Sequence, residues 1–204
     1  MRLAKKQERM ILPIVGYGDP VLRKKGENIT AEYPNLKQLI KDMFETMYNA
    51  YGVGLAAPQI GLAIRLFVVD ASAFADSEDV SVQEKANLEN FKKVFINPTI
   101  LKEEGGLWAF NEGCLSIPDV REDVVRHDTI TIEYYDENFQ KHTEVFDGLR
   151  ARVIQHEYDH IEGILFTDKI SSLKKRLNEK RLKNIMEGKI RTDYRMRFVG
   201  KKGK

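Results

Sequence analysis

Apolar residues recur at intervals of three and four in two long segments, a spacing typical of amphipathic helices. The first covers residues 36–51, and Asn35 stands where its N-cap is expected. The second covers residues 149–165, with Asp147 as the expected N-cap. Gly163 is placed to end this second helix in a left-handed conformation. Both segments therefore predict helices that pack one face against a core.

Runs rich in β-branched and aromatic residues predict strands between and around these helices. They are Arg65–Val69, Val94–Leu101, Thr129–Tyr135 and His142–Phe146. Residues 71–92 are polar and acidic without periodicity, which predicts a long mobile loop. Several strands followed by a core helix indicate an α+β fold, with antiparallel sheets packed around that helix. We find no internal repeat.

The letters QHEYDH occupy residues 155–160, in the middle of the second predicted helix. Two histidines four residues apart on a helix stand about 40° apart around its axis, so His156 and His160 can bind one cation. Glu157 lies on the same side, where it can handle the proton of a metal-bound water. A solvated helix face is the alternative, but the flanking residues are apolar. The motif therefore predicts a metal-dependent hydrolase.

Two histidines leave a catalytic zinc or iron site short of its usual third protein ligand. Phe166 stands where metzincin proteases have a third histidine, which excludes that class. A general endopeptidase would need Glu179 or Glu187, both in an exposed stretch dense in lysine and arginine. The remaining candidate is Cys114, because a thiolate with two imidazoles suits Zn²⁺ or Fe²⁺. A non-enzymatic metal-binding or RNA-associated module is a third alternative.

Three separated motifs resemble those of the peptide deformylase family. They are GVGLAAPQ at residues 52–59, EGCLS at residues 112–116 and QHEYDHIEG at residues 155–163. Their order and separation are far more specific than any one motif alone. The similarity covers roughly residues 10–170, and Ile161 replaces the family's usual leucine by an apolar residue of equal volume.

The resemblance implies one divalent metal ion, Fe²⁺ in the cell, with Zn²⁺, Ni²⁺ or Co²⁺ as replacements. Its ligands would be Cys114, His156 and His160, with a water as the fourth. Glu157 would accept the proton of this metal-bound water as it attacks the formyl carbon, and would then deliver it to the leaving amine. The side-chain amide of Gln59 and the backbone N–H of Leu115 would stabilise the oxyanion.

The substrate implied by the resemblance is the N-formylmethionyl end of nascent peptides. It would bind as an extended strand against the backbone near Val53, Gly54 and Gly113. The methionine side chain needs an apolar, deep pocket, and Val53 with either Val153 or Ile154 are its candidate lining residues.

Three residues near the cysteine motif have two interpretations each. Trp108 and Phe110 are interpreted as packing residues, with the wall of a pocket as the alternative. Arg121 stands where the family has an arginine near the mouth of the active site. It would bind a peptide carboxylate or pair locally with Glu122.

Composition agrees with a small intracellular enzyme of the cytoplasm. The chain has 204 residues and a single cysteine, which excludes an intramolecular disulfide framework and argues against a disulfide-linked partner. We find no apolar run of eighteen residues and no signal-peptide pattern, so no membrane association is expected. Residues 1–9 are predicted to be a disordered extension, and residues 10–172 the catalytic domain.

Residues 173–204 are predicted to form a basic C-terminal helix and tail, with the helix over residues 172–187. Residues 174–204 carry a net charge of +10, against +2 for the whole chain. Such asymmetry favours a polyanionic partner, and the resemblance implies the ribosome. A solvated tail without a partner is the alternative. One helix face is expected to dock through Leu173, Leu177, Leu182, Ile185 and Met186, and a truncation after Leu173 to leave activity intact.

Overall fold

The computed structural model describes residues 10–77 and 80–199, so the extension expected at residues 1–9 lies outside the described residues. Helices and strands alternate irregularly along this part of the chain. The α-helices are α1 (Leu36–Asn49), α2 (Val82–Leu88), α3 (Gly148–Ile161) and α4 (Ser172–Met186). None of these helices of the described ranges is long and apolar enough to cross a membrane.

Antiparallel strands form one large sheet that builds the site. Its strands are β2 (Gly54–Ala56), β3 (Leu66–Asp70), β4 (Lys92–Cys114), β5 (Ile117–Tyr135) and β6 (Lys141–Asp147), and two short strands lie outside it, β1 (Ile14–Val15) and β7 (Met196–Arg197). The large sheet has the order β2-β3-β4-β5-β6, while β1 and β7 pair in parallel as a separate two-stranded sheet. The α+β prediction, with antiparallel strands around a central helix, is confirmed.

Helix α3 lies against the sheet, with contacts to β2, β3, β5 and β6. Val153, Ile154 and Ile161 bury its apolar face in the same core cluster as the inward side chains of the sheet. The predicted end of the helix is confirmed, because Gly163 has φ 76° directly after the C-cap. Asp147 is the N-cap residue, as predicted, but its side chain makes no capping hydrogen bond.

The prediction of a long mobile loop over residues 71–92 is wrong. The segment contains a 3-10 helix at Ser72–Asp76 and helix α2, which begins after Ser81 accepts a hydrogen bond from the Glu84 amide. Leu88 and Phe91 anchor the segment in the core. The few apolar residues of this segment are too widely spaced for a periodic signal, so only the fold shows that Leu88 and Phe91 are buried.

The predicted strands all exist, but two of them are much longer than expected. Val94–Leu101 and Thr129–Tyr135 are parts of β4 and β5, which form one long hairpin. Register shifts between Ile96 and Thr99, and again up to Leu107, break the two-residue alternation along β4. The periodic signal is lost at these irregularities, so the sequence does not reveal the rest of the hairpin.

The C-terminal segment is integrated into the fold. Leu182 and Ile185 on α4 are buried in a core cluster with residues of β5, and β7 pairs with β1. The docking prediction is wrong for Leu173, Leu177 and Met186, which are exposed. The helix is rotated so that Asn178, and not these apolar residues, shares the buried face with Leu182 and Ile185.

Candidate metal centre

The two histidines of α3 and the last residue of β4 meet at one point. Cys114 Sγ lies 3.2 Å from His160 Nε2, and one donor atom from each of Cys114, His156 and His160 lies within 4.8 Å of the others. The helix spacing turns both imidazoles to the same side, and the sheet brings the thiol to them. The three predicted ligands are therefore together, and the chemistry of the donor set fits Zn²⁺ or Fe²⁺.

Glu112 fixes the orientation of one histidine. His156 Nδ1 lies 2.9 Å from Glu112 Oε2, so its other ring nitrogen is available to an ion. Burial lowers the pKa of His156, but its hydrogen bonds with Cys114 and Glu112 outweigh burial and raise it. Burial and the neighbouring His156 lower the pKa of His160, which favours the neutral imidazole that metal binding requires.

Glu112 belongs to a buried network of charges under the site. Arg126 donates two hydrogen bonds to it, at 2.7 and 2.9 Å, and Arg152 donates a third at 2.9 Å. Arg126 also donates to Asp159 on α3 at 2.6 Å. Burial would raise the pKa of Glu112, but the hydrogen bonds from Arg126 and His156 lower it well below its ordinary value.

The sequence interpretation missed this role of Glu112. The signal was its position in the EGCLS motif, two residues before Cys114, because alternate residues of a strand face the same side. Arg126 and Arg152 gave no sequence signal, since only the fold shows that these charged residues are buried.

Glu157 lies beside the cluster with only 4% of its surface exposed. Its Oε2 atom is buried without a hydrogen-bond partner in the described part of the chain. Burial raises the pKa of Glu157 to about 7. A nearby cation would act in the opposite direction and favour the carboxylate. A carboxyl group with a pKa in this range suits proton transfer at neutral pH.

Gly54 on β2 faces Glu157, and this contact explains the glycine. A Cβ built on Gly54 would collide with Glu157 Oε1 and would lie 2.8 Å from its Cδ. Any other residue at this position would displace the carboxylate. Gly54 therefore leaves room for the Glu157 carboxylate. This is separate from the role in peptide binding that the resemblance implies.

Gln59 and Leu115 flank the thiol. The Gln59 side chain is held by a hydrogen bond from the Ala56 amide to Oε1 at 2.7 Å, and its Nε2 points at Cys114 Sγ from 3.5 Å. Leu115 lies in the turn between β4 and β5, where its carbonyl accepts a 2.8 Å hydrogen bond from the Tyr194 hydroxyl. Tyr194 was missed by the sequence interpretation, because it lies far outside the three motifs.

A cavity of about 460 Å³ opens next to these groups. Its lining includes the predicted substrate-binding residues Val53, Gly54 and Gly113. Of the two alternatives on α3, Val153 lines the cavity, whereas Ile154 is fully buried in the core and does not.

The structure decides between the two interpretations given above for Trp108, Phe110 and Arg121. Phe110 forms part of its wall, while the Trp108 ring packs against the guanidinium of Arg152. Arg121 lines the cavity and donates hydrogen bonds to Asn111, not to Glu122.

Glu179 and Glu187, the alternative third ligands, do not lie in the cluster formed by Cys114, His156 and His160. Glu187 pairs with Lys189, and Glu179 is exposed on α4. In residues 10–77 and 80–199, Cys114, His156 and His160 form the one group of three such donors close enough to hold a metal ion. The site geometry therefore does not fit the endopeptidase alternative.

Comparisons with known proteins identify the family of this chain. The family model for polypeptide deformylase matches residues 11–176. The peptide deformylase of Flavobacterium johnsoniae is 69% identical over 196 residues, which cover 96% of this chain and 100% of the relative. That of Cytophaga hutchinsonii is 51% identical over 193 residues, covering 95% of this chain and 100% of the relative.

Solved structures give the same result. The structure of peptide deformylase from Thermus thermophilus is 40% identical and superposes with a TM-score of 0.74, covering 86% of this chain and 98% of that chain. The structure from Plasmodium falciparum is 35% identical with a TM-score of 0.74, covering 86% and 95%. The chain therefore belongs to the polypeptide deformylase family, and it is a hydrolase that removes the N-formyl group from newly synthesised peptides.

Proposed function

We propose that Cys114, His156 and His160 hold one divalent metal ion and that Glu157 is the acid–base group of the deformylation reaction. The observation that supports this most is the convergence of three donor atoms within 4.8 Å beside a buried, unpaired carboxylate oxygen. When bound, the ion supplies Lewis acidity, which makes a water molecule nucleophilic near neutral pH.

Glu157 accepts a proton on its unpaired oxygen as water attacks the formyl carbon, and it then protonates the departing amine. The carbonyl oxygen of the formyl group becomes negatively charged during attack. Gln59 Nε2, oriented by the bond from Ala56 to its oxygen, donates to this oxygen, and the backbone N–H of Leu115 is the second donor. The bond from Ala56 holds Gln59 in place before the substrate binds, so little reorganisation of this donor accompanies the reaction.

The substrate lies as an extended strand along the edge of the sheet, against Val53, Gly54 and Gly113. Strand β2 is at one edge of the sheet order, which leaves backbone groups on one side to pair with a peptide. The methionine side chain enters the apolar part of the cavity, between Val53, Val153 and Phe110.

Fe²⁺ is the ion that we propose for the cell, with Zn²⁺, Ni²⁺ or Co²⁺ as replacements. A Cys–His–His set accepts all four, so the proposal is supported by the resemblance and not by the geometry. Anaerobic purification followed by metal analysis and activity of each metal form tests it. Iron as the main metal, with the highest activity, is expected, whereas equal activity with zinc alone contradicts it.

Substitution of Cys114 tests the metal site. Cys114→Ala should reduce bound metal below one ion per chain and abolish hydrolysis of a formylmethionyl peptide. Ser116→Ala is the matched control, because Ser116 lies in the turn two residues after Cys114 and its buried hydroxyl has no partner among the described residues. Retained metal and turnover in Cys114→Ala would contradict the proposal.

We also propose that the exposed face of α4 contacts the ribosome in the cytoplasm. Arg176, Lys180 and Lys183 are exposed on α4 at spacings of four and three. Leu182 and Ile185 hold the opposite face on the core, which fixes the basic face outward. Such a face attracts RNA phosphates through counterion release.

Charge reversal tests this contact without disturbing the core. Arg176→Glu with Lys180→Glu should abolish co-sedimentation with ribosomes at low salt, while wild-type binding should weaken steeply as salt rises. Lys37→Glu with Lys41→Glu is the matched control, because it reverses two exposed charges at the same spacing on α1. Equal sedimentation of both double variants, or none by the wild type, contradicts the proposal.

A further inference from the structure

The end of helix α1 has an unusual residue in its capping motif. The Gly52 amide donates to the Met47 carbonyl at 2.9 Å, and the Tyr51 amide donates to the Tyr48 carbonyl at 3.0 Å. This pair of bonds is the Schellman arrangement, in which the first residue after the C-cap adopts a left-handed conformation and is usually glycine. Here that residue is Tyr51, with φ 57°.

Neither conformation nor packing explains a tyrosine at this position. A left-handed φ is strained for a bulky side chain. Tyr51 is 89% exposed, and its side chain makes no hydrogen bond or ring contact within residues 10–77 and 80–199. The adjacent Gly52 has no positive φ; a Cβ there would meet Leu115 Cδ1 at 2.7 Å. The glycine of this motif is therefore at position 52, where a side chain would not fit, and the strained left-handed position is occupied by Tyr51.

Tyr51 is, however, part of the lining of the substrate cavity. It precedes Gly52, Val53 and Gly54 in that lining, and Arg121 lines the same cavity. We propose that Tyr51 is a specificity-determining residue, whose ring packs against an apolar or aromatic side chain of the peptide downstream of its formylmethionine. This inference rests on the proposed function, because it requires peptides to bind along β2.

The physical basis is the geometry of an extended peptide and the properties of the ring. Side chains of a strand alternate, so residues after the methionine leave the deep part of the cavity and reach its mouth. A tyrosine ring offers a large contact area with few rotatable bonds, and it pairs well with another aromatic ring. The Tyr51 ring is exposed and pairs with no other ring in the part of the chain that the structure describes, so it is free to supply this contact to the substrate.

The test compares three substrates: formyl-Met-Ala-Ala, formyl-Met-Phe-Ala and formyl-Met-Ala-Phe. The wild type should show a kcat/KM roughly three- to tenfold higher for at least one phenylalanine peptide than for the alanine peptide. Tyr51→Gly and Tyr51→Ala should reduce this ratio to about one, and Tyr51→Phe should keep it. Val145→Ala, which removes an exposed apolar side chain outside the cavity, should also keep it.

Thermal unfolding separates this role from a structural one. Tyr51→Gly should raise the melting temperature, because glycine relieves the left-handed strain. An unchanged ratio in Tyr51→Gly, a lost ratio in Tyr51→Phe, no preference in the wild type, or a lower melting temperature of Tyr51→Gly each overturns the inference. Absence of wild-type turnover on all three peptides would instead contradict the proposed function.

Discussion

Single residues orient the side chains that we propose as metal ligands. Glu112 is the clearest example, since it contacts His156 and two buried arginines at the same time. A buried carboxylate between two guanidinium groups is stabilising only as long as all partners are present. The same side chain therefore serves the core and the orientation of a proposed metal ligand.

Glu112→Gln should affect both properties. Loss of the charge leaves Arg126 and Arg152 undercompensated, so the free energy of unfolding should fall by roughly 3 kcal/mol. The altered bond to His156 should weaken metal affinity about 10- to 100-fold. Chemical denaturation of the metal-free protein and metal titration measure the two effects separately. Unchanged metal affinity in the folded variant would show that Glu112 does not orient His156.

Glu162 gives a prediction for stability against pH. Burial would raise its pKa, but hydrogen bonds from Lys25 and Arg65 outweigh burial and hold it below the ordinary value. A depressed pKa contributes stability above the unfolded value of about 4.3, and this contribution is lost as pH falls through the folded value. The metal-free wild type should therefore exceed Glu162→Gln in free energy of unfolding at pH 7, with a smaller difference at about pH 3.5. A difference that is independent of pH would contradict this.

At the scale of elements, helix α2 supports the helix that carries the site. Glu84 Oε1 accepts a 2.9 Å hydrogen bond from the Leu149 amide, in the first turn of α3. Asp147, the N-cap residue, makes no such bond. The amide at the start of α3 is thus capped by a side chain from a distant segment, and a carboxylate there also interacts favourably with the helix dipole.

Removal of this cap should be measurable. Glu84→Ala should lower the free energy of unfolding by about 1 kcal/mol. Glu89→Ala is the matched control, because Glu89 is exposed at the other end of α2 and should change stability by less than about 0.5 kcal/mol. Equal effects of the two substitutions in urea denaturation would show that the bond from Leu149 contributes nothing.

The elements also show how far the sequence could predict this fold and site. Strong periodicity identified α1, α3 and the centres of the strands. The fixed spacing of His156 and His160 indicated two candidate metal ligands, which the fold brings together with Cys114. The sheet brings Cys114 next to His156 and His160, and this proximity cannot be derived from their separation in the sequence. Only the family motifs associated the cysteine with the two histidines. Helix α2 and the length of the β4–β5 hairpin were not predictable, because long-range contacts and irregular register determine them.

At the scale of the whole molecule, the C-terminal segment completes the core around the site. Leu182 and Ile185 are buried, β7 pairs with β1, and Tyr194 donates to the Leu115 carbonyl beside Cys114. The charge asymmetry of this segment was visible in the sequence, but its packing was not. From these contacts we predict the opposite of the outcome expected from the sequence for a truncation after Leu173.

The truncated chain should lose stability and turnover together. Removing Leu182 and Ile185 alone deletes two buried side chains, each worth roughly 2 kcal/mol or more. Circular dichroism and hydrolysis of a free formylmethionyl peptide should both show the loss. An unchanged melting temperature with full activity would show that the segment is an independent tail.

The central claim, that Glu157 transfers the proton while three other residues hold the metal, is tested most directly by Glu157→Gln. The variant keeps the ligands, so it should bind one metal ion per chain as the wild type does. Its kcat for a formylmethionyl peptide should fall by at least about 100-fold, the usual contribution of a positioned acid–base group. Glu162→Gln, the same substitution just after the end of the helix, should retain wild-type turnover at neutral pH. Wild-type turnover by metal-loaded Glu157→Gln would contradict the account.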